Sequence, residues 1–292
     1  MIEIGNGALS AVINPFGAEL THLRDADGRE LMTDADPAFW TGHAPILFPV
    51  IGRVHGDVIR IGGVEYPMPK HGFARRSSFQ IATASIDRAT FRLTDSPDTR
   101  KAYPFAFALE IEFAIAGATL SIDARLNNPG SAPLPASFGF HPAFAWPLPY
   151  GAPRAGHRIV FDREEPGTLR VLTSDGLIAP GSRASPLAGR ALALADDLFD
   201  DDALIWAPVE SDSVRYGPAD GAHLDIAFPR MPMLGIWTKP GAHYICVEPW
   251  HGIADPEDYA GEYRDKPGVV EIPPGETRTF TMSVTLVTQG QE

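Results

Sequence analysis

Proton-transfer chemistry has its strongest candidate at Glu248, inside the stretch Cys246 to Gly252, which reads CVEPWHG. The carboxylate follows an apolar run (Tyr244, Ile245, Cys246, Val247) and stands directly before Pro249 and Trp250. Extended apolar runs belong to cores, and carboxylates are rarely buried without a partner. A glutamate at the rim of such a strand is either a hydrogen-bonded structural group or one poised to exchange a proton. Histidine is its natural counterpart near neutral pH. Of nine histidines, three have unusual surroundings. His71 opens HGFARR (71–76) after the proline-rich YPMPK (66–70), His141 lies in SFGFHPAFAWP (137–147), and His251 closely follows Glu248. A strand end followed by a turn holds a side chain rigidly and leaves it reachable. For any one of them a surface or satisfied structural role is the alternative. Around His141 the aromatics Phe138, Phe140, Phe144 and Trp146 suit either a core or the C–H faces of a sugar.

Arg53, in FPVIGRVHGD (48–57), follows an apolar strand and a glycine, and Arg75 and Arg76 follow His71. A guanidinium offers five donors in a fixed fork, suited to carboxylate, phosphate or several hydroxyls. Its competing use is to pair with one of the surplus acids. The chain lacks a GxSxG elbow, a Walker A loop, a GxGxxG entering a helix and an HExxH helix. His141, Glu248 and His71 are metal-ligating types, but their spacing demands no metal and none is assigned.

The elements that must position these groups read as strands. FAFALEIEFAIAG (105–117) alternates apolar residues with small or acidic ones, TLSIDARLNN (119–128) repeats the pattern after Gly117, and the two make an antiparallel hairpin. TRTFTMSVTLVT (277–288) alternates likewise. Shorter strands are expected at 8–14, 45–51, 78–83, 89–94, 135–140, 158–161, 203–207, 223–228, 233–238 and 243–248. Single helical turns fit 37–42 and 255–264, and the Pro-, Gly- and Asp-rich part 147–203 reads as loop excursions. Many short strands separated by turns predict an all-β fold, a sandwich or barrel, formed by one domain over 1–292.

The formal charge of −13 argues against nucleic acid or an anionic membrane as partner. The single cysteine, Cys246, excludes an intramolecular disulfide, and its apolar flanks read as a small buried hydrophobe. MIEIGNGALSAVI lacks the basic and apolar regions of a secretory signal, and no window approaches a membrane span, so a cytoplasmic location is expected.

HAPILFPVIGRVHGDVI (43–59), YPMPKHGFARRSSFQI (66–81), SFGFHPAFAWP (137–147) and YICVEPWHGIAD (244–255) together resemble the aldose 1-epimerase (galactose mutarotase) superfamily. Within it they look most similar to the bacterial mutarotase-like branch with the HGFAR motif. The blocks match in order and spacing from GAELTHL (17–23) to the final strand. The resemblance implies a large antiparallel β-sandwich with few short helices and a sugar cleft across one face. It implies Glu248 as catalytic base and His141 as general acid. His71 and Arg53 would be substrate-binding, and an aspartate in DDDALIW (200–206), taken as Asp202, would hold hydroxyls. It implies no cofactor and a monosaccharide partner.

The residue types suit that reaction. An ionised Glu248 removes the proton from the anomeric hydroxyl, a protonated His141 gives one to the ring oxygen, the ring opens, and reclosure from the other face exchanges the anomers. Two other functions share the motifs: a hexose-6-phosphate 1-epimerase, for which Arg53, Arg75 and Arg76 speak, and a non-catalytic carbohydrate-binding sensor. The sequence names neither the sugar nor the oligomeric state.

Overall fold

The long alternating segments fold as their period of two requires. Ala108–Ala116 and Thr119–Asn127 pair antiparallel in a hairpin turning at Gly117, and Thr277–Val287 lies along the second of these strands. Their alternate residues Leu109, Ile111, Phe113, Leu120, Ile122, Ala124, Phe280, Met282 and Val284 are buried, so one face of this sheet is core and the other wet.

The computed structural model describes residues 1–288. Two sheets dominate. The larger has nine strands in the order Ala191–Ala193, His157–Phe161, Ser213–Pro218, His223–Ala227, Thr277–Val287, Thr119–Asn127, Ala108–Ala116, Arg88–Thr94, Gln80–Ala84. The other has seven: Phe138–Gly139, Tyr244–His251, Met233–Trp237, Leu204–Trp206, Thr168–Leu172 and Ile178–Ala184 in that order, with Ala143–Ala145 also paired to Tyr244–His251. The buried apolar cluster between them runs from Ile4 to Leu286. Helix among the described residues is confined to six short 3-10 turns. The fold is the all-β antiparallel sandwich that the sequence predicts.

Three local readings are corrected. Residues 45–51 are buried but form no ladder strand: Leu47 bridges Gly139 and Phe48 bridges Gly72, singly. The segment 37–42 is a turn without helix, and in 255–264 only the last residues enter a 3-10 turn, Tyr263–Asp265. Most consequential, 147–203 is not merely looped: Thr168–Leu172 and Ile178–Ala184 form a hairpin that completes the seven-stranded sheet.

Candidate active site

Strand alternation explains how Glu248 reaches a cleft from a buried strand. In Tyr244–His251, Ile245 and Val247 point into the main core, whereas Tyr244, Cys246, Glu248 and Trp250 share the opposite face. The neighbouring chain keeps one register on either side of the site, with Gly139 opposite Trp250 and Ala143 opposite Cys246. That register sets His141 opposite Glu248. Two backbone hydrogen bonds flank the pair: Phe140 N–H donates to the Pro249 carbonyl (3.1 Å) and Val247 N–H to the Pro142 carbonyl (3.2 Å). His141 Nε2 lies 3.2 Å from Glu248 Oε2, and both side chains are buried.

On the other flank Gly235 stands opposite Glu248. A Cβ on Gly235 would lie 2.4 Å from the Trp250 ring, and one on Gly139 would lie 2.6 Å from it. The indole therefore lies flat across two glycines and makes part of the cleft floor. Trp40 stacks on the His141 ring (centroids 5.0 Å, planes 30° apart), and Trp237 meets it edge-on at 6.1 Å.

His71 enters from its own turn. Its φ is 66° and that of Gly72 is 73°; a Cβ on Gly72 would sit 2.1 Å from the Phe48 carbonyl oxygen, so glycine is required there. The Gly52 amide donates to His71 Nδ1 at 3.2 Å, and the His71 amide returns a bond to the Gly52 carbonyl at 2.8 Å. With Nδ1 accepting, a neutral His71 carries its proton on Nε2. Its ring meets that of His141 edge-on, 5.8 Å away.

These groups converge on one cleft of about 310 Å³, a size suited to a small ligand. His71, His141, Asp202 and Glu248 line it together with Lys70, Arg75 and three tryptophans, Trp40, Trp237 and Trp250. Of the three neighbouring aspartates, only Asp202 is among the lining residues. The loop of the hairpin missed in the sequence supplies the far wall through Leu172, Gly176 and Ile178. A wider groove, about 1020 Å³, crosses the outer face of the nine-stranded sheet. Its charges are largely self-compensating, as in Arg215–Asp225 at 3.1 Å, and its His223 Nε2 contact at 3.7 Å goes to the same oxygen of Asp225 that Arg215 already holds.

Arg53 is a correction. Its guanidinium is held by both carboxylate oxygens of Asp57 (2.9 Å each) and donates to the Asp175 carbonyl, and it does not line the cleft. Its backbone carbonyl accepts from Asp255, so Arg53 braces the wall rather than facing the cavity. The arginine that faces the cavity is Arg75. Among the described residues neither Arg75 nor Lys70 has a side-chain hydrogen bond or an ion-pair partner. Lys70, Trp40 and Trp237 were not singled out in the sequence. Lys70 adjoins His71, and Gly42 carried a signal for Trp40, because a Cβ there would strike the indole at 2.4 Å.

The charge states also differ from the expectation of an ionised Glu248 beside a protonated His141. Burial drives the Glu248 carboxyl well above its usual range; Lys70 and Arg75 oppose that rise and Asp202 adds to it. Burial, with Arg75 next, lowers His141 to about 3. His71 is lowered well below its usual value, again by burial first and His141 next. The carboxyl–imidazole contact therefore favours its neutral form, a protonated carboxyl against a neutral ring. That form has the same proton count as the ion pair.

The family model for aldose 1-epimerase matches residues 1–161. A galactose mutarotase related enzyme from Lactobacillus acidophilus superposes with a TM-score of 0.90 at 30% identity, covering 99% of this chain and 98% of its own. A galactose mutarotase-like protein from Lactobacillus casei gives 0.89 at 28%, covering 98% and 100%. The plasmid-encoded protein LacX of Lactococcus lactis is 27% identical over 98% of this chain and 99% of its own length. Glu248 lies beyond the family-model match and within the extent of the two structural relatives.

Proposed function

The chain belongs to the aldose 1-epimerase family, and from that premise we propose that it interconverts the α and β anomers of an aldose by acid–base ring opening and reclosure. The observation that carries this reading is the contact between His141 Nε2 and Glu248 Oε2, 3.2 Å apart at one cleft. The anomeric hydroxyl oxygen and the ring oxygen of a pyranose are bonded to the same carbon. An acid and a base that serve them must therefore be neighbours.

The single proton of the pair explains the cycle. Glu248 takes the proton of the anomeric hydroxyl as His141 gives its proton to the ring oxygen, and the C1–O5 bond breaks. The pair passes from its ionic to its neutral form. Reclosure on the other face of the aldehyde reverses both transfers and restores the ionic form. Burial favours the neutral form, which accompanies the open chain, while Lys70 and Arg75 favour an ionised carboxylate. A positioned acid and base contribute roughly 10²–10⁴-fold each. His71 offers its Nε2–H as a neutral donor, Asp202 accepts from hydroxyls, and the tryptophans supply apolar faces to the ring. No cofactor enters this chemistry, and one domain over 1–292 in the cytoplasm is part of the same reading.

A phosphorylated aldose is the second reading, favoured by the two unpaired cations Lys70 and Arg75 at the cleft. Arg75 now takes the place first given to Arg53. Polarimetry of freshly dissolved α-glucose and α-galactose, with coupled-assay rates on glucose 6-phosphate, tests both. Acceleration that Glu248→Gln abolishes supports the epimerase. A preference for the phosphate that Arg75→Ala removes selects the second substrate class. Sugar binding by calorimetry without acceleration of any of them would leave a sensor and overturn the enzyme.

A further inference from the structure

Cys246 is absent from the catalytic scheme, yet it shares the site. It precedes Glu248 by two residues on the strand Tyr244–His251 and so presents its side chain on the same face. The ligand atoms of His141, Cys246 and Glu248 all lie within 4.8 Å of one another, and all three residues are buried. An imidazole nitrogen, a thiolate and a carboxylate oxygen are the donor types of a three-ligand zinc site with one open position. The bite also fits. Ligand bonds of about 2.0–2.1 Å at a tetrahedral angle put nitrogen and oxygen roughly 3.4 Å apart, and the observed separation is 3.2 Å. His141 Nδ1 is buried without a hydrogen-bond partner among the described residues, so nothing else fixes that ring's tautomer.

We infer that His141, Cys246 and Glu248 form a binding site for a thiophilic divalent cation, with Zn²⁺ the fitting case, and that its occupancy reversibly blocks the cleft. The cation is an inhibitor and takes no part in the epimerase reaction. Binding releases the thiol proton and the single proton of the His141–Glu248 pair. The two negative charges left behind neutralise the 2+ ion, so the buried site carries no net charge. The fourth position opens to the cleft, where His141 and Glu248 are lining residues. Trp40 and Trp237, which also line the cleft, pack against the cluster containing Cys246. Mg²⁺ and Ca²⁺, which take oxygen ligands, are excluded by the donor set. Uptake strengthens as pH rises, because protons leave.

Calorimetry of the tag-free wild type with zinc chloride should give one ion per chain. Cobalt(II) should give a thiolate-to-metal charge-transfer band. Cys246→Ala removes a ligand while keeping a small apolar side chain. It should lose the band and weaken zinc binding by about 10²-fold or more, with the basal anomerisation rate unchanged. Magnesium chloride at the same concentrations should neither bind nor inhibit. Wild-type zinc affinity in Cys246→Ala, or no saturable zinc binding by the wild type, overturns the site. These binding readouts do not depend on the proposed enzyme activity. Only the inhibition arm rests on that reading, and zinc binding at one per chain with full anomerisation retained would overturn the claim that the ion blocks the cleft.

Discussion

The Gly52 amide donates to Nδ1 of His71 at 3.2 Å while the His71 amide donates to the Gly52 carbonyl at 2.8 Å. This reciprocal clamp fixes both the ring and its tautomer. Protonating Nδ1 would remove the acceptor and leave the Gly52 amide facing a like donor. Burial and His141 lower the His71 pKa for separate reasons. His71 should therefore stay neutral, protonated on Nε2, across pH 5–8. Nitrogen NMR of the labelled ring checks this, and an imidazolium at pH 6 would sink it. His71→Gln, which keeps a donor of similar reach, should retain more activity than His71→Leu.

The pH profile of kcat/KM follows from the pair. Its active form holds one proton between His141 and Glu248. On the acid side a second proton must be added, and with His141 lowered to about 3 that occurs well below the ordinary histidine range. On the alkaline side the proton is lost above the usual carboxylate pKa, because burial raises Glu248. Both limbs are macroscopic properties of the pair. Activity should hold as pH falls through 6.5 and decline only toward the acid limit. A steep loss between pH 7 and 6 in the wild type would contradict this account.

Glu248→Gln and His141→Asn should each lower kcat by roughly 10²–10⁴-fold with smaller changes in sugar affinity. Circular dichroism should show both variants folded. Loss confined to affinity would reassign the two residues from proton transfer to binding.

The alternating strands at 108–116, 119–127 and 277–287 were legible because each has one wet face. The hairpin Thr168–Leu172 and Ile178–Ala184 was not, because most of its residues are exposed or half-exposed and Pro180 and Gly181 interrupt it. At 45–51 the opposite held. That segment is buried throughout, and Pro49 lacks the N–H that a ladder needs, so its apolar run makes only single bridges. In the site, Glu248, His141, His71 and Asp202 come to one cleft, and of the candidate arginines Arg75 lines it and Arg53 does not. Residue type could not separate the two arginines, since Asp57, four residues after Arg53, decides which one is already paired. Gly139 and Gly235 carried a readable signal, as glycine inside an apolar strand marks a close approach.

Gly235→Ala tests that close approach. The added Cβ would meet the Trp250 ring at 2.4 Å, with a second ring atom at 2.6 Å. The indole is wedged over the strand and must move into the cleft. Overpacking of this kind costs roughly 1–3 kcal/mol. The variant should show a lower melting temperature, an altered tryptophan fluorescence spectrum and a raised KM. Wild-type stability together with wild-type KM would mean that the ring is free to shift.

Behind the cleft wall, Lys266 Nζ lies 2.7 Å from Asp255 Oδ1, with both side chains buried. Asp255 Oδ2 accepts from the His55 amide, its backbone N–H donates to the Arg53 carbonyl, and its own carbonyl accepts from Ile178. One aspartate thus ties the Gly52–His55 turn to the hairpin that forms the far wall. Removing one partner of a buried pair strands the other charge, at roughly 3–5 kcal/mol. Lys266→Met should destabilise by that amount in urea unfolding and loosen sugar binding through the wall. Lys266→Met combined with Asp255→Asn leaves no bare charge and keeps an acceptor for His55, so it should be more stable than Lys266→Met alone. If the double variant is the less stable of the two, the cost lies in lost packing and not in the stranded carboxylate.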